Sequence, residues 1–510
     1  MNANRPAGGP TGRRGPAARL ESGALLAEVE AIRTTVHETA QAIFGQWHAG
    51  ITERAFLPAS RNLADYLALR RLDLSDLQST LAMLGLSSLG RSEAHVRATL
   101  DALCATLSRL AGAGTPPFPP TGIFTAGRRT LDQAQHDLFG TNPGGPKTRI
   151  MVTLPTEAAS DAALVRGLVD AGMTCARINC AHADAATWQA MAGLVRTIAA
   201  EAKRECRILM DIGGPKCRIE TVHAADRVRL FRGDRIALVR AVEDAEAKDT
   251  VTATITFPDI LAKLVPGAEV WINDGRIGAR VLAGDSRRVV LEVFSARSKG
   301  ERLKPEKGVN FPGTELGLAP LTAKDLADLD IVAALADLVG FSFVQRPEDV
   351  QLLHDELARR RPGHAPLPFV LKIETQLAVR NLPRLIVRAG ARGPVAVMIA
   401  RGDLAVELGF ARLSEIQEEM MWLCEAAHVP VVWATQVLES LVSDGLPTRA
   451  EATDAAMSQR AECVMLNKGP YAVEALRFLA DVLHRMDRHT SKKSPRFGPL
   501  HSWPADELAL

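Results

Sequence analysis

Apolar positions along the chain fall into three successive regimes. From 22 to about 112 they recur with helical spacing, as in Leu25, Leu26, Val29, Ile32 and Val36, and no stretch alternates with the two-residue period of a strand. Breaks at 58–60 and 84–91, where Ser and Gly supply stop and cap chemistry, predict three or four packed helices within a domain at 21–112. A self-packed bundle or a contact with a second copy would use such amphipathic faces equally well. The next stretch, 113–147, sets GTPPFPP and GTNPGGPK around a short amphipathic piece at 131–139 and reads as an irregular linker.

Beyond 147 the texture changes to short Val-, Ile- and Met-rich runs separated by helical patterns, the signature of βα units around a parallel sheet. Eight runs are found, at 149–154, 174–179, 208–212, 338–344, 369–374, 396–400, 431–435 and 463–466. Eight strands each followed by a helix predict an α/β fold, a TIM (β/α)8 barrel occupying 148–215 and 314–490; a large doubly wound sheet could use the same pattern. Between the third and fourth runs, 216–313 shows β-type alternation at 227–230, 235–239, 250–255, 269–272 and 289–293, which predicts a small all-β domain. Inserted after a barrel strand, it belongs at the C-terminal mouth, where a lid would sit.

Polar residues cluster at the ends of these runs. Arg177 and Asn179 close the second, Asp211 the third, Lys372 and Glu374 the fifth, Asp403 follows the sixth, and Thr435 and Gln436 end the seventh. Lys372 and Glu374 are two apart in VLKIET, so a strand points both to one face. Either they form a buried ion pair, or they do chemistry there. Asp403 in IARGDLAVELG opens a helix, as an N-cap or as a metal ligand; with Glu374 it would offer Mg2+ or Mn2+ the oxygen donors these ions prefer.

Composition narrows the field only a little. With 47% apolar and 24% charged residues, the 510-residue chain can bury a large core, and a net charge of +2 gives no footprint for nucleic acid or an anionic membrane. The seven cysteines lie far apart without metal spacing and read as free thiols of a cytoplasmic protein. Residues 1–20, rich in Gly, Pro, Arg and Ala, read as a disordered tail, with a transit peptide as the alternative, and 491–510 as a C-terminal tail.

At the strand-end motifs the chain resembles the pyruvate kinase family, from about 148 to 487. The strings, in order, are AGMTCARINCAH, MDIGGPKCR, WINDG, KGVNFPG, LTAKDLADL, FVLKIET, VMIARGDLAVELG, VVWATQVLESL and PTRAEATDAA. The resemblance implies phosphoryl transfer from phosphoenolpyruvate to ADP in glycolysis, with Mg2+ or Mn2+ as cofactor. Arg177 would bind the substrate phosphate, and Lys372 would neutralise the transferring group. Glu374 and Asp403 would hold the metal. The N–H groups around Arg401 and Gly402, with the Thr435 hydroxyl, would bind the substrate carboxylate, and Thr435 would join the proton path. His182, Arg218 and Lys307 are expected near the nucleotide phosphates, and Asn179 and Asp211 in the monovalent-cation region. No nucleic-acid or membrane partner is expected; a homo-oligomer is.

Departures from the family pattern shape further expectations. Ala181 and Ile212 replace oxygen-bearing residues, and Lys216 stands where potassium-dependent members carry a glutamate. An ammonium there would supply the missing charge and repel a cation, so K+ independence is expected. Gly213 replaces a lysine, and 467–470, Asn-Lys-Gly-Pro, replaces a Ser-Gly-Glu-Thr string at the rim. The family's C-terminal effector domain is expected to be absent, and the N-terminal helices have no counterpart in ordinary members. Two other readings remain open: a metal-dependent aldolase or mutase acting on an enolate, and a non-catalytic regulatory relative.

Overall fold

The computed structural model describes residues 21–224, 228–246 and 251–495, so the expected tail at 1–20 and most of that at 491–510 lie outside the described residues. Two compact units are seen. The first is helical: α1 (Ser22–His48), α2 (Leu57–Leu69), α3 (Ser75–Met83) and α4 (Val96–Leu110). α1 packs on α2 and α4, burying Leu25, Val29 and Val36. Pro58 does not break a helix as its position suggested; it lies in the first turn of α2, where its missing N–H costs nothing.

The 113–147 segment is not an irregular linker throughout, because α5 (Ile123–Phe139) fills much of it. Its buried stripe runs Gly127, Leu131, Gln135 and Leu138, and the glycine and glutamine in it hide the helical period from hydropathy. Gln135 is buried with purpose: its amide donates to the carbonyls of Lys147 (3.0 Å) and Glu462 (2.6 Å).

In the second unit, eight parallel strands close into a barrel in the order β1-β15-β14-β13-β12-β11-β3-β2. They are β1 (Arg149–Thr153), β2 (Cys175–Asn179), β3 (Arg207–Ile212), β11 (Leu338–Phe341), β12 (Phe369–Ile373), β13 (Val395–Ala400), β14 (Val431–Ala434) and β15 (Cys463–Leu466). Closure excludes the doubly wound alternative. Inward side chains such as Met151, Cys175, Leu209 and Val370 form one buried cluster, completed by Leu138 and Phe139 from the end of α5. Helices between the strands include α6 (Ala162–Asp170), α7 (Ala185–Glu201), α8 (Ala323–Leu335), α9 (Pro347–Arg360) and α10 (Gln376–Gly390). Then follow α11 (Arg401–Leu408), α12 (Phe410–Ala426), α13 (Glu439–Asp444), α14 (Arg449–Ser458) and α15 (Ala472–Met486). Among the described residues no helix is long and apolar enough to cross a membrane.

The insertion between β3 and β11 folds as a seven-stranded sheet, ordered β10-β7-β8-β9-β5-β6-β4, with its own apolar core. Its strands are β4 (Ile219–Ala224), β5 (Arg235–Val239), β6 (Val251–Ile255), β7 (Glu269–Ile272), β8 (Ile277–Gly284), β9 (Arg288–Ser295) and β10 (Val309–Asn310). Of the run expected at 227–230, residue 227 lies outside the described residues and Leu230 makes only an isolated bridge to Glu301. The 250–255 run corresponds to β6, with residue 250 also outside them. Sequence reading missed β4, β8 and β10, whose polar or small residues (Glu220, His223, Gly278, Asn310) blur the alternation. After α15, Thr490–Ser491 and Ser494–Pro495 pair as two short antiparallel strands.

Candidate active site

The period of two along the barrel strands places Thr153, Arg177, Asp211 and Lys372 one step above the apolar interior cluster, at the C-terminal end. Arg177 Nε donates to Asp211 Oδ2 at 2.8 Å, its Nη2 bonds the same oxygen, and Nη1 donates to Thr153 Oγ1 at 3.0 Å. Lys372 Nζ lies 3.2 Å from Asp211 Oδ2 and 3.4 Å from Glu374 Oε1, and donates to Ser342 Oγ at 2.6 Å. Ser342 in turn donates to Asp211 Oδ1 at 3.1 Å. The Glu374 Oε2 atom accepts the Phe343 N–H at 2.6 Å.

Two cations thus face two carboxylates, all at most 9% exposed, and buried charges persist only when paired in this way. The close fit needs Gly340, where a Cβ would fall 2.7 Å from Asp211 Oδ1. Burial works against the charged form of Asp211, but Lys372 and Arg177 overcome it and hold the carboxyl below its usual range. Burial likewise opposes the Lys372 ammonium, yet Asp211 and Glu374 raise it above an ordinary lysine. Glu374 is pushed up by burial, against the pull of Lys372, and further by Asp403.

Asp403 is the third residue of α11, whose N-cap is Ala400, so its expected reading as an N-cap is corrected. Its partner comes from the far side of the mouth. The turn after β3 brings in Lys216, whose Nζ lies 2.8 and 2.9 Å from the two Asp403 carboxylate oxygens. Gly214 makes that turn possible: its φ is +66°, and a Cβ there would meet the Ser342 carbonyl oxygen at 2.7 Å. Asn310 Nδ2 stands 3.5 Å from Asp403 Oδ1, and buried Glu407 is pushed up to about 7 by burial and by Asp403.

The carboxylates of Glu374 and Asp403 suit a divalent ion. Both offer oxygen donors, they sit close enough for Asp403 to raise Glu374, and Mg2+ commonly takes one or two carboxylates with substrate and water completing its shell. No group of three or more His, Cys, Asp or Glu side chains poised for a metal exists among the described residues, so protein ligands alone would not enclose the ion.

Thr435 follows β14 with φ +65°, a strained conformation for a β-branched residue. Its hydroxyl holds the loop by accepting the Gly402 N–H at 2.7 Å and donating to the Ala434 carbonyl at 2.7 Å. Arg401 turns its side chain away from the mouth. Its guanidinium bonds Asp454 Oδ1 and Oδ2 at 2.5 and 2.9 Å and the carbonyls of Ala434 and Thr435 at 3.0 and 2.7 Å, and lies over the Trp433 ring. Only its backbone remains for a ligand.

A cavity of about 310 Å³ brings together Arg177, Asn179, His182 and Lys468. Burial, then Lys468, Arg218 and Arg177, lower the His182 imidazole. Arg218 and Lys307 sit side by side in the insertion, bonding Glu306 O and accepting from Ile219 N respectively, and line neither this cavity nor the next. A second cavity, about 230 Å³, lies between insertion and barrel and carries Lys216, Asn310, Phe343, Gln376 and Glu407 on its walls. Asn179 Oδ1 accepts the Ala181 N–H at 3.1 Å, while Asp211 serves as the hub of the ion network.

Sequence reasoning missed Thr153, Ser342, Asn310, Glu407 and Asp454. Ser342 was findable: it keeps the parity of Leu338 and Gly340 in LVGFS, a polar residue on an inward face. Glu407 and Asp454 lie on helices with no strand-end signal.

Fold and mouth together define a (β/α)8-barrel enzyme with an inserted β domain. Residues 145–476 match the model for the pyruvate kinase barrel domain. A pyruvate kinase of Agrobacterium vitis is 33% identical over 351 residues, 67% of this chain and 69% of the relative. Pyruvate kinase 2 of Synechocystis is 32% identical over 356 residues, covering 68% and 58%, and the Methylorubrum extorquens pyruvate kinase is 33% identical over 349, covering 67% and 69%. The chain belongs to the pyruvate kinase family, a family of phosphotransferases.

Proposed function

We propose that this chain transfers a phosphoryl group from phosphoenolpyruvate to ADP, giving pyruvate and ATP, with Mg2+ or Mn2+ and without a K+ requirement. The observation that carries this reading is the balanced Arg177–Asp211–Lys372–Glu374 layer at the barrel mouth, beside Asp403. Arg177 binds the substrate phosphate from its anchored position on Asp211. Lys372 neutralises charge on the group in flight, where a fixed ammonium in a dry site is worth most. Glu374 and Asp403 would hold the metal, which when bound polarises phosphoryl oxygens.

The Gly402 N–H and Thr435 hydroxyl receive the substrate carboxylate, exchanging their bond to each other for bonds to ligand. Thr435 then passes a proton toward the enolate through water, its own pKa being too high to act alone. His182, Arg218 and Lys307 face the nucleotide phosphates, the last two arriving when the insertion closes. Lys216 supplies the positive charge that potassium gives elsewhere. The protein acts in glycolysis in the cytoplasm, as a homo-oligomer.

Pyruvate formation by purified protein, with and without ADP, Mg2+ and K+, tests the reading alongside Lys372→Met. Turnover that needs ADP and Mg2+, ignores K+ and vanishes in the variant supports it. Turnover of phosphoenolpyruvate without ADP would overturn it in favour of other enolate chemistry.

A further inference from the structure

We propose that a separate cavity, at the N-terminal end of β12, binds a small oxyanion of the phosphate class. The cavity, about 160 Å³, is walled by His354, Leu357, Arg361, His364, Phe369 and Arg392. It lies at the start of the strand whose other end carries Lys372 and Glu374, outside the mouth described above.

Two of its wall residues carry buried nitrogens with no partner. His354 is 7% exposed, yet its Nε2 makes no hydrogen bond, and the Nη1 of Arg361 is equally enclosed and equally unpaired. Native proteins rarely leave such groups unmade, because each forfeits its hydration without return. The fold fixes the His354 ring and the root of the Arg361 side chain. The His354 ring stacks on Phe369, centroids 4.3 Å apart and planes at 30°, and the Arg361 N–H closes the end of α9 on the Leu357 carbonyl at 2.9 Å.

The local field is positive. Arg392 adds a second guanidinium, of which Nη1 bonds Asp355 at 3.2 Å on the exposed side, and Arg388 also acts on His354. Burial, followed by Arg392, lowers the imidazole to about 4, so near neutral pH the ring is uncharged and the positive charge of the wall comes from the guanidinium groups. Guanidinium forks match the oxygens of phosphate, and two arginines in the wall exclude a metal cation. The space is below the about 300–1,000 Å³ of pockets for drug-sized ligands, which selects the ion itself or the head of a small monoester over a nucleotide.

Calorimetric titration with inorganic phosphate tests the proposal on the full-length protein, wild type against Arg361→Gln, Arg392→Gln and, as a control for the mouth, Arg177→Gln. The expected result is a phosphate-binding component that survives Arg177→Gln and weakens at least about tenfold in each of the other two, the loss of one charge-assisted hydrogen bond. Circular dichroism verifies that each variant is folded. A parallel titration with glycerol 3-phosphate separates the sources: tighter binding than phosphate assigns the site to a metabolite's phosphate, equal binding to the free ion. Folded Arg361→Gln and Arg392→Gln proteins that bind phosphate as the wild type does would overturn it.

Discussion

The Lys216 ammonium and the Asp403 carboxylate face each other across the barrel mouth, with Nζ 2.8 and 2.9 Å from the two oxygens. One comes from the turn after β3, the other from the first turn of α11, and 187 residues separate them in sequence. The pair occupies the carboxylate proposed to hold a divalent ion. A divalent ion held by Asp403 would therefore have to compete with Lys216 for that carboxylate.

Lys216→Met should tighten Mn2+ binding to substrate-free protein by about tenfold or more, the scale of one charge-assisted hydrogen bond. Electron paramagnetic resonance of free Mn2+ measures this without turnover. Lys216→Glu should go further and make turnover respond to K+.

Lys372→Met should abolish turnover and also destabilise the fold. Removing one member of a buried charge network leaves Glu374 without its nearest cation and Asp211 with Arg177 as its only cationic partner, a loss of about 3 kcal/mol on the scale of broken buried pairs. Urea unfolding measures it, and an unchanged midpoint would show that the ammonium contributes nothing to the folded state.

Thr435→Ser keeps the hydroxyl that links Gly402 to Ala434, whereas Thr435→Val keeps the shape and loses both bonds. The serine variant should retain most activity. The valine variant should lose about 10²-fold in kcat, the size of a proton-relay contribution, and about 1–3 kcal/mol of stability from unpaired polar groups.

His354 makes the fold acid-sensitive. Burial, then Arg392 and Arg388, against Asp355 and the Ala389 carbonyl, bring the imidazole to about 4 in the folded chain, compared with 6.5 as its ordinary value. As pH falls from 6.5 towards 4, the unfolded chain takes up a proton that the folded chain refuses. Stability present above pH 6.5 is therefore lost across that window, by about 3 kcal/mol at roughly 1.4 kcal/mol per pH unit. His354→Gln should flatten this slope in thermal melts run without phosphate.

The barrel strands were legible because a parallel strand buried on both faces is a continuous apolar run, and the charged members at its end, Lys372 and Glu374, stand out against that background. The insertion was less legible. Its strands β4 and β8 carry exposed, polar or small residues in one half, so alternation fails there. The pairing of Lys216 with Asp403 could not be read at all, since it depends on how the positive φ of Gly214 aims a loop across the mouth. Nor could the N-cap of α11 be placed, because the helix opens two residues before the first residue that looks like a cap.

Leu138 and Phe139, from the last turn of α5, join Met151, Cys175 and Val370 in the barrel interior. The match to the barrel-domain model begins at residue 145. A protein trimmed to that boundary would keep every strand and every mouth residue, yet it would have lost its floor plug. Water would gain a route to the barrel axis from below, and a cut at that boundary would yield a leaky, aggregation-prone barrel unless it spared α5.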